Sequence, residues 1–414
     1  MPHVIYCILL LLASPLLAEF RAAVTKVDIT PKTPQWLMGY AARQSTGVHD
    51  PIFHRIAVLE DGPTQVILVA SDICVFSPGV YDDTVSELGL DRKQLWWTVT
   101  HTHSAPEVGP PGVYDVLLKG RSDHEWSREY LAYVKSTLKQ GIAEARAKLA
   151  PAKLAMGTGR ANANINRRAR DLDGTISLGY NPDGPVDRQI GLIRIERMDG
   201  TPMGLVANYA MHGTALGGQS MEISGDAPGA AAAYVEQKLG VPVLYVNGAA
   251  GNIAPIYTVM ANPRAAHLGE FRVLLGDKIL AANASLTGAT APKLRYAEKT
   301  VETPRKAGIG WPAELGGYAG EGTVKIPVRF LSLGDTVWWA APVELFCEIS
   351  MRVRDESPFR NTFYFGYTNG WLGYLPTAAA FGEGGYEPRT SPFTEKVESD
   401  FTNAVITSIA GLKQ

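Results

Sequence analysis

Three stretches of the chain share one pattern, a β-hairpin whose second strand runs into a polar, Gly-rich or His-containing loop. They are HRIAVLEDGPTQVILVASDI, turning at Asp61-Gly62; GLIRIERMDGTPMGLVANYAMHG, turning at Asp199-Gly200; and VRFLSLGDTVWWAAPVEL, turning at Gly334-Asp335. Asp and Gly tolerate the positive φ of tight hairpin turns, so these dipeptides between apolar runs are strong local signals. Hairpins require antiparallel neighbours, which excludes a purely parallel sheet. Further strands are expected at Leu95–Thr100, Val243–Val246 and Thr362–Tyr367. Helical spacing is expected at Ser127–Leu149, Gly229–Leu239, Ala265–Ala282, Glu344–Asp355 and Thr394–Ile409. Strands and helices interspersed in this way predict an α/β fold of mixed sheets with flanking helices. No Ser/Gly- or Pro-rich linker divides the chain, so a single catalytic domain over residues 19–414 is expected.

The first eighteen residues, MPHVIYCILLLLASPLLA, have the layout of a secretory signal peptide cleaved after about Ala18. The n-region carries only His3 and neither Lys nor Arg, which leaves an uncleaved anchor as the alternative. A secreted or periplasmic protein is the expectation. After cleavage Cys74 and Cys347 remain, and spacing does not say whether they pair. With 39 Lys+Arg against 41 Asp+Glu, the net charge of −2 gives no field for a phosphate backbone, so no nucleic-acid partner is expected. Oligomeric state is not readable from the chain.

Chemistry collects just past the strands. Leu95–Thr100 delivers His101-Thr102-His103-Ser104; if the strand continues, both imidazoles leave one face, roughly 6.6 Å apart along the backbone. Neutral imidazole is the commonest zinc ligand, although His-x-His alone equally describes two polar loop residues. Leu205–Ala210 delivers His212-Gly213-Thr214. Thr336–Ala340 leads through Pro342 to Glu344, expected at a helix start, where an acid usually only offsets the helix dipole. Three polar candidates, each past an apolar strand, suit an active site at a sheet edge. An amidohydrolase-type barrel fits poorly, because two strands precede His101 and no matching later set of ligands follows.

Taken in order, these motifs resemble the catalytic region of the neutral/alkaline (non-lysosomal) ceramidases, zinc-dependent amidases. The matching segments are VDITP (Val27–Pro31), Gly39 to Gly47-Val48-His49, Thr100-His101-Thr102-His103-Ser104, Asn164-Ile165-Asn166-Arg167, His212-Gly213-Thr214, Ile223-Ser224-Gly225-Asp226, Pro342-Val343-Glu344 and YTNGWLGYLPT (Tyr367–Thr377). The resemblance implies zinc held by His101, His212, Glu344 and Tyr374. It implies His103 beside the metal, with Arg167 and Tyr386 binding substrate polar atoms or stabilising negative charge. On the residues alone, Tyr374 reads equally as core packing, and Arg167 as one of a solvated cluster with Arg168 and Arg170.

Two departures limit what the resemblance implies. Where the family has a nucleophilic serine, this chain reads Gly251-Asn252-Ile253-Ala254-Pro255, and the Ala254 methyl cannot attack a carbonyl. Zinc lowers the pKa of bound water from about 15.7 toward about 7, so a zinc-activated water is the expected nucleophile. Ser104, Thr214 and Ser224 are the alternative hydroxyls. The family's C-terminal immunoglobulin-like domain is expected to be absent, since the chain stops at Gln414. The expectation is an exported zinc hydrolase acting on an N-acyl amide of a lipid or small-molecule substrate, with peripheral contact at a lipid surface. An ester or carbohydrate-derived substrate, or a non-catalytic zinc protein binding a lipid or glycan, are the alternatives.

Overall fold

The computed structural model describes residues 20–258 and 268–413; the expected signal segment lies outside these residues. Two mixed β-sheets pack face to face. The larger has eight strands, in spatial order Val243–Asn247, Pro202–Tyr209, Gln189–Arg197, Ala150–Arg160, Arg21–Asp28, Phe53–Asp61, Thr64–Ser71 and Leu95–Val99. Its two outermost pairings are parallel and the rest antiparallel. The smaller sheet runs Leu294–Pro304, Thr323–Leu333, Thr336–Ala340 and Asn361–Phe365, with Ala319–Gly320 attached to the second.

Alternation along the strands builds the layers. Ala57, Leu59, Leu68, Trp96, Val206 and Val246 face Leu331, Leu333, Trp338, Phe363 and Phe365 between the sheets. The intervening residues face outward and are also buried. Ile56, Val58, Ile67 and Trp97 cluster with Val134, Leu138 and Ile142 of the Arg128–Ala147 helix, while Phe330 and Trp339 join Phe401 and Val405 of the Val397–Lys413 helix. Buried on both faces, the central strands read as nearly continuous apolar runs. Among the described residues, no helix is long and apolar enough to cross a membrane.

The second and third hairpins turn where expected, with Leu333 paired to Thr336 across Gly334-Asp335. The first turns one residue later, at Gly62-Pro63, because Asp61 still pairs with Thr64. Two local expectations are corrected. The Leu95–Val99 strand does not continue to His101, whose φ of 63° breaks the extended path. Nor does Glu344 start a helix. Glu344–Leu345 is a short strand in parallel register with Tyr374–Leu375, and the helix begins at Cys347 with Glu348 as its first-turn acid. Backbone bonds from Glu344 N to the Gly373 carbonyl (3.0 Å) and from Phe346 N to the Leu375 carbonyl (3.1 Å) hold that segment extended.

Candidate metal centre and cavity

The strands that end on one rim of the two sheets deliver the polar side chains there. Asn247, at the end of its strand, ties two of these loops together. Its side-chain amide donates to the Thr100 carbonyl (3.1 Å) and the Met211 carbonyl (2.9 Å), just before His101 and His212. The two loops then touch along their backbones, His103 N bonding the Gly213 carbonyl at 2.8 Å and Gly213 N the His101 carbonyl at 3.1 Å. A Cβ on Gly213 would lie 2.6 Å from Thr102 Cα, so this contact requires glycine. Asp226 holds the far side of the His212 loop, accepting from the backbone N–H of Ala215 (2.8 Å) and Leu216 (3.0 Å).

His101, His212 and Glu344 converge, all buried. The Glu344 Oε2 is 3.4 Å from His101 Nε2 and 3.2 Å from His212 Nε2. Each histidine commits its other nitrogen to a backbone carbonyl: His101 Nδ1 to Cys74 at 3.0 Å, His212 Nδ1 to Ile253 at 2.9 Å. These bonds put the proton on Nδ1 and leave the Nε2 lone pairs aimed at one point, the tautomer metal-ligating histidines adopt. Although close to Glu344, His212 Nε2 has no aligned hydrogen bond and is a buried orphan. A carboxylate oxygen facing imidazole lone pairs in a dry site calls for a cation between them. The donor set, two imidazoles and a carboxylate, suits a divalent metal such as zinc.

Cys74, His101 and His103 form a second close group. There the Cys74 Sγ is 3.8 Å from His101 Nδ1, the nitrogen already used by the Cys74 carbonyl, so the Glu344 group is the better-prepared one. Both Cys74 and Cys347 are buried and free; they do not pair.

Without a metal the charges settle as the geometry dictates. Burial disfavours an imidazolium at His101, but Glu344 beside it outweighs burial and pushes its pKa up to about 10. His212 goes the other way, down to about 3, through burial and the nearby Arg167 and His101. Burial alone would raise the Glu344 carboxyl, yet His101 and His212 hold it well below the usual carboxylate range. Its other oxygen accepts from Trp371 Nε1 at 2.8 Å, while Oε2 also accepts from the Tyr367 hydroxyl at 3.3 Å.

Register puts Tyr374 directly beside Glu344. Its phenol is raised well above the usual range by burial and by Glu344, and it accepts from Arg167 Nη2 at 3.1 Å. Arg167 is fixed in turn by Glu387, whose Oε1 accepts from Nε at 2.9 Å. Arg168 takes the other Glu387 oxygen at 2.8 Å, so neither arginine belongs to a solvated cluster; only Arg170 is solvent-facing. The Tyr386 ring packs edge-on against Tyr374, with centroids 5.7 Å apart.

The imidazole of His103 stands beside the triad, Nε2 3.2 Å from His101 Nε2, with Nδ1 buried and unpartnered. Burial, then the neighbouring His101 and His212, keep it well below its ordinary pKa and hence neutral. Gly39, at φ 106°, passes so close that a Cβ would sit 2.5 Å from the ring. His103, Arg167, Tyr374 and Tyr386 all line one cavity of ≈ 490 Å³, together with Tyr40, Arg121, Thr214 and Thr258. Ala254 lines it too, on the Ile253–Pro255 strand, paired with Ile165 of the Asn164–Arg170 strand that carries Arg167. Among the alternative hydroxyls, Thr214 reaches the cavity; Ser224 bonds Asp50, and the Ser104 hydroxyl is buried without a partner.

Sequence reasoning missed the residues that hold the candidate ligands and their loops in place: Asn247, Tyr367, Trp371 and Glu387. Two of them, Tyr367 and Trp371, lie within the YTNGWLGYLPT stretch, where an aromatic-rich strand end was the available signal.

Comparison with known proteins bears on this arrangement. Residues 20–254 match the family profile described as neutral/alkaline non-lysosomal ceramidase, N-terminal. Neutral ceramidase of Mycobacterium tuberculosis is 26% identical over 219 residues, covering 49% of this chain and 33% of that protein. Neutral ceramidase of Oryza sativa subsp. japonica is 25% identical over 273 residues, covering 62% and 34%. The matches thus span about a third of the length of these relatives. The crystal structure of neutral ceramidase from Pseudomonas aeruginosa superposes with a TM-score of 0.78 at 17% identity, over 95% of this chain and 74% of that one, a likeness of fold.

Proposed function

Because the chain belongs to the neutral/alkaline non-lysosomal ceramidase family, we propose that it is a zinc-dependent hydrolase of an N-acyl amide, with water as nucleophile. The observation that carries this reading is Ala254: a methyl lines the cavity beside Arg167, Tyr374 and His103, next to the convergent His101, His212 and Glu344. A bound zinc would supply Lewis acidity and lower the pKa of water at the triad, with Tyr374 beside Glu344 as its fourth protein ligand.

The chain's own groups would do the rest. His103, neutral and with its Nε2 turned toward the triad, accepts a proton from the attacking water and returns it to the leaving nitrogen. The balance is that of hydrolysis: a C–O bond forms, the C–N bond breaks, and acid and amine leave. The Arg167 guanidinium, held by Glu387, and the Tyr386 hydroxyl face the cavity as fixed donors for negative charge developing on the acyl oxygen. Their prior fixation means little reorganisation during reaction. An exported location is part of the same reading and rests on the composition of Met1–Ala18.

A panel of short-chain N-acylsphingosines, other acyl amides and esters, run with zinc-loaded protein, tests it. The expected result is amide turnover with no acyl adduct on the intact chain by mass spectrometry. A covalent acyl adduct on Thr214 or Ser104, or turnover of esters alone, would overturn the water-nucleophile amidase.

A further inference from the structure

We infer that the substrate carries an anionic group, a carboxylate near the amide nitrogen, received by Arg121 in the cavity. The inference rests on the amidase reading above and deepens it to a substrate class, the N-acyl amino acids.

The guanidinium groups around the cavity are unequally provided for. Arg167 and Arg168 share the two oxygens of Glu387. Half-buried Arg121 has no carboxylate partner among the described residues: its Nη1 reaches the Tyr386 hydroxyl and the Gly39 carbonyl, each at 3.4 Å, the outer edge of hydrogen-bond distance, and the Tyr114 phenol lies beside it. The Tyr114 and Tyr386 phenols flank it, neither of them ionised at neutral pH, since burial raises both. Arg43, behind His103, donates to the carbonyls of His103 and Ser220 and lies over the Tyr40 ring, with no carboxylate partner among the described residues and its Nη1 buried without a hydrogen bond. A buried arginine such as Arg43 is ordinarily paired with a carboxylate, and a cavity-lining one such as Arg121 is free to take one from a ligand. The Arg121 charge faces a concave site, which concentrates anions, and its planar fork matches a carboxylate's two oxygens.

Position fixes which end of the substrate bears the charge. From the ligands outward the order is Glu344, Tyr374, Tyr386, Arg121, through a shared register, a 5.7 Å ring contact and the 3.4 Å bond. Arg121 is therefore one tyrosine beyond the reacting centre, within reach of a group a few bonds from the amide. The acyl chain has another way out. Leu178, 53% exposed, lines the cavity, and Tyr180, 45% exposed, lies two residues further along the chain outside it.

The test uses the full zinc-loaded chain with N-octanoylglycine and N-octanoylethanolamine, which differ in carboxylate against hydroxymethyl. Wild type should favour the glycine conjugate in kcat/KM by about tenfold or more, the scale of a charged hydrogen bond. In Arg121→Gln that ratio should fall toward one, with Arg121→Lys intermediate. Because each variant is its own control, a general loss of activity cancels in the ratio. Calorimetry with the non-hydrolysable N-(octylsulfonyl)glycine reads the same contact without turnover, and R121Q should weaken it about tenfold. If neither amide is hydrolysed, the amidase reading fails while calorimetry still decides Arg121. A wild-type preference for the ethanolamide, an unchanged ratio in R121Q, or equal binding of the sulfonyl compound by R121Q and wild type overturns the proposal.

Discussion

Glu344 shows how much of this site lies in residues outside the converging triad. Its two oxygens are held by the Trp371 indole and the Tyr367 hydroxyl, which orient it toward the His101 and His212 nitrogens. Partners of this kind typically contribute 10- to 100-fold of metal affinity, by an order-of-magnitude estimate. Trp371→Phe keeps an aromatic ring and removes the donor, so the zinc affinity read by chelator competition should fall by about tenfold or more; an unchanged affinity would show that the bond orients nothing. The three converging side chains were legible in the chain, each a polar residue after an apolar strand. Their supports were not. A backbone carbonyl such as that of Cys74 or Ile253 has no sequence signature, and Glu387 gains meaning only once folding brings it to Arg167.

At the scale of elements, the joint between the larger sheet and the Arg128–Ala147 helix contains a buried titratable group. His54, fully buried, meets the Ser71 hydroxyl at 2.6 Å and the Val134 carbonyl of that helix at 3.1 Å, while Trp97 Nε1 donates to the same hydroxyl at 2.8 Å. Burial lowers its pKa to about 4. The folded pKa is below the unfolded one, so on acidification the unfolded chain takes the proton first. The resulting stability is complete above about pH 6.5 and is lost as pH falls toward 4, by about 3 kcal/mol in all. Denaturant midpoints across that window should therefore drop with acid, and His54→Gln should flatten the slope; an equally steep slope in the variant would place the effect elsewhere. Element positions were largely readable, because hairpin turns and helical periods are local. The misses were local contests decided by distant partners. Glu344 was drawn into a strand by Tyr374, and His101 was turned out of one by the bonds its loop makes with Ser71, Ile73 and Gly213.

For the whole molecule, the packing of two mixed sheets between helices puts the ends of several strands on one rim, where loops remote in sequence can meet. Asn247 and Gly213 make that meeting specific, one by bonding the loops before His101 and His212, the other by letting their backbones touch. The mixed-sheet architecture followed from the hairpins alone, and the family fold agrees with it. What pattern could not supply was the cavity, whose wall draws on segments from Gly39 to Tyr386. The most direct measurement is the metal content of the purified chain by elemental analysis, beside His212→Ala. The expected result is about one zinc per wild-type chain and loss of it in the variant, with the fold retained by circular dichroism. The same metal content in both would contradict a centre built on His101, His212 and Glu344.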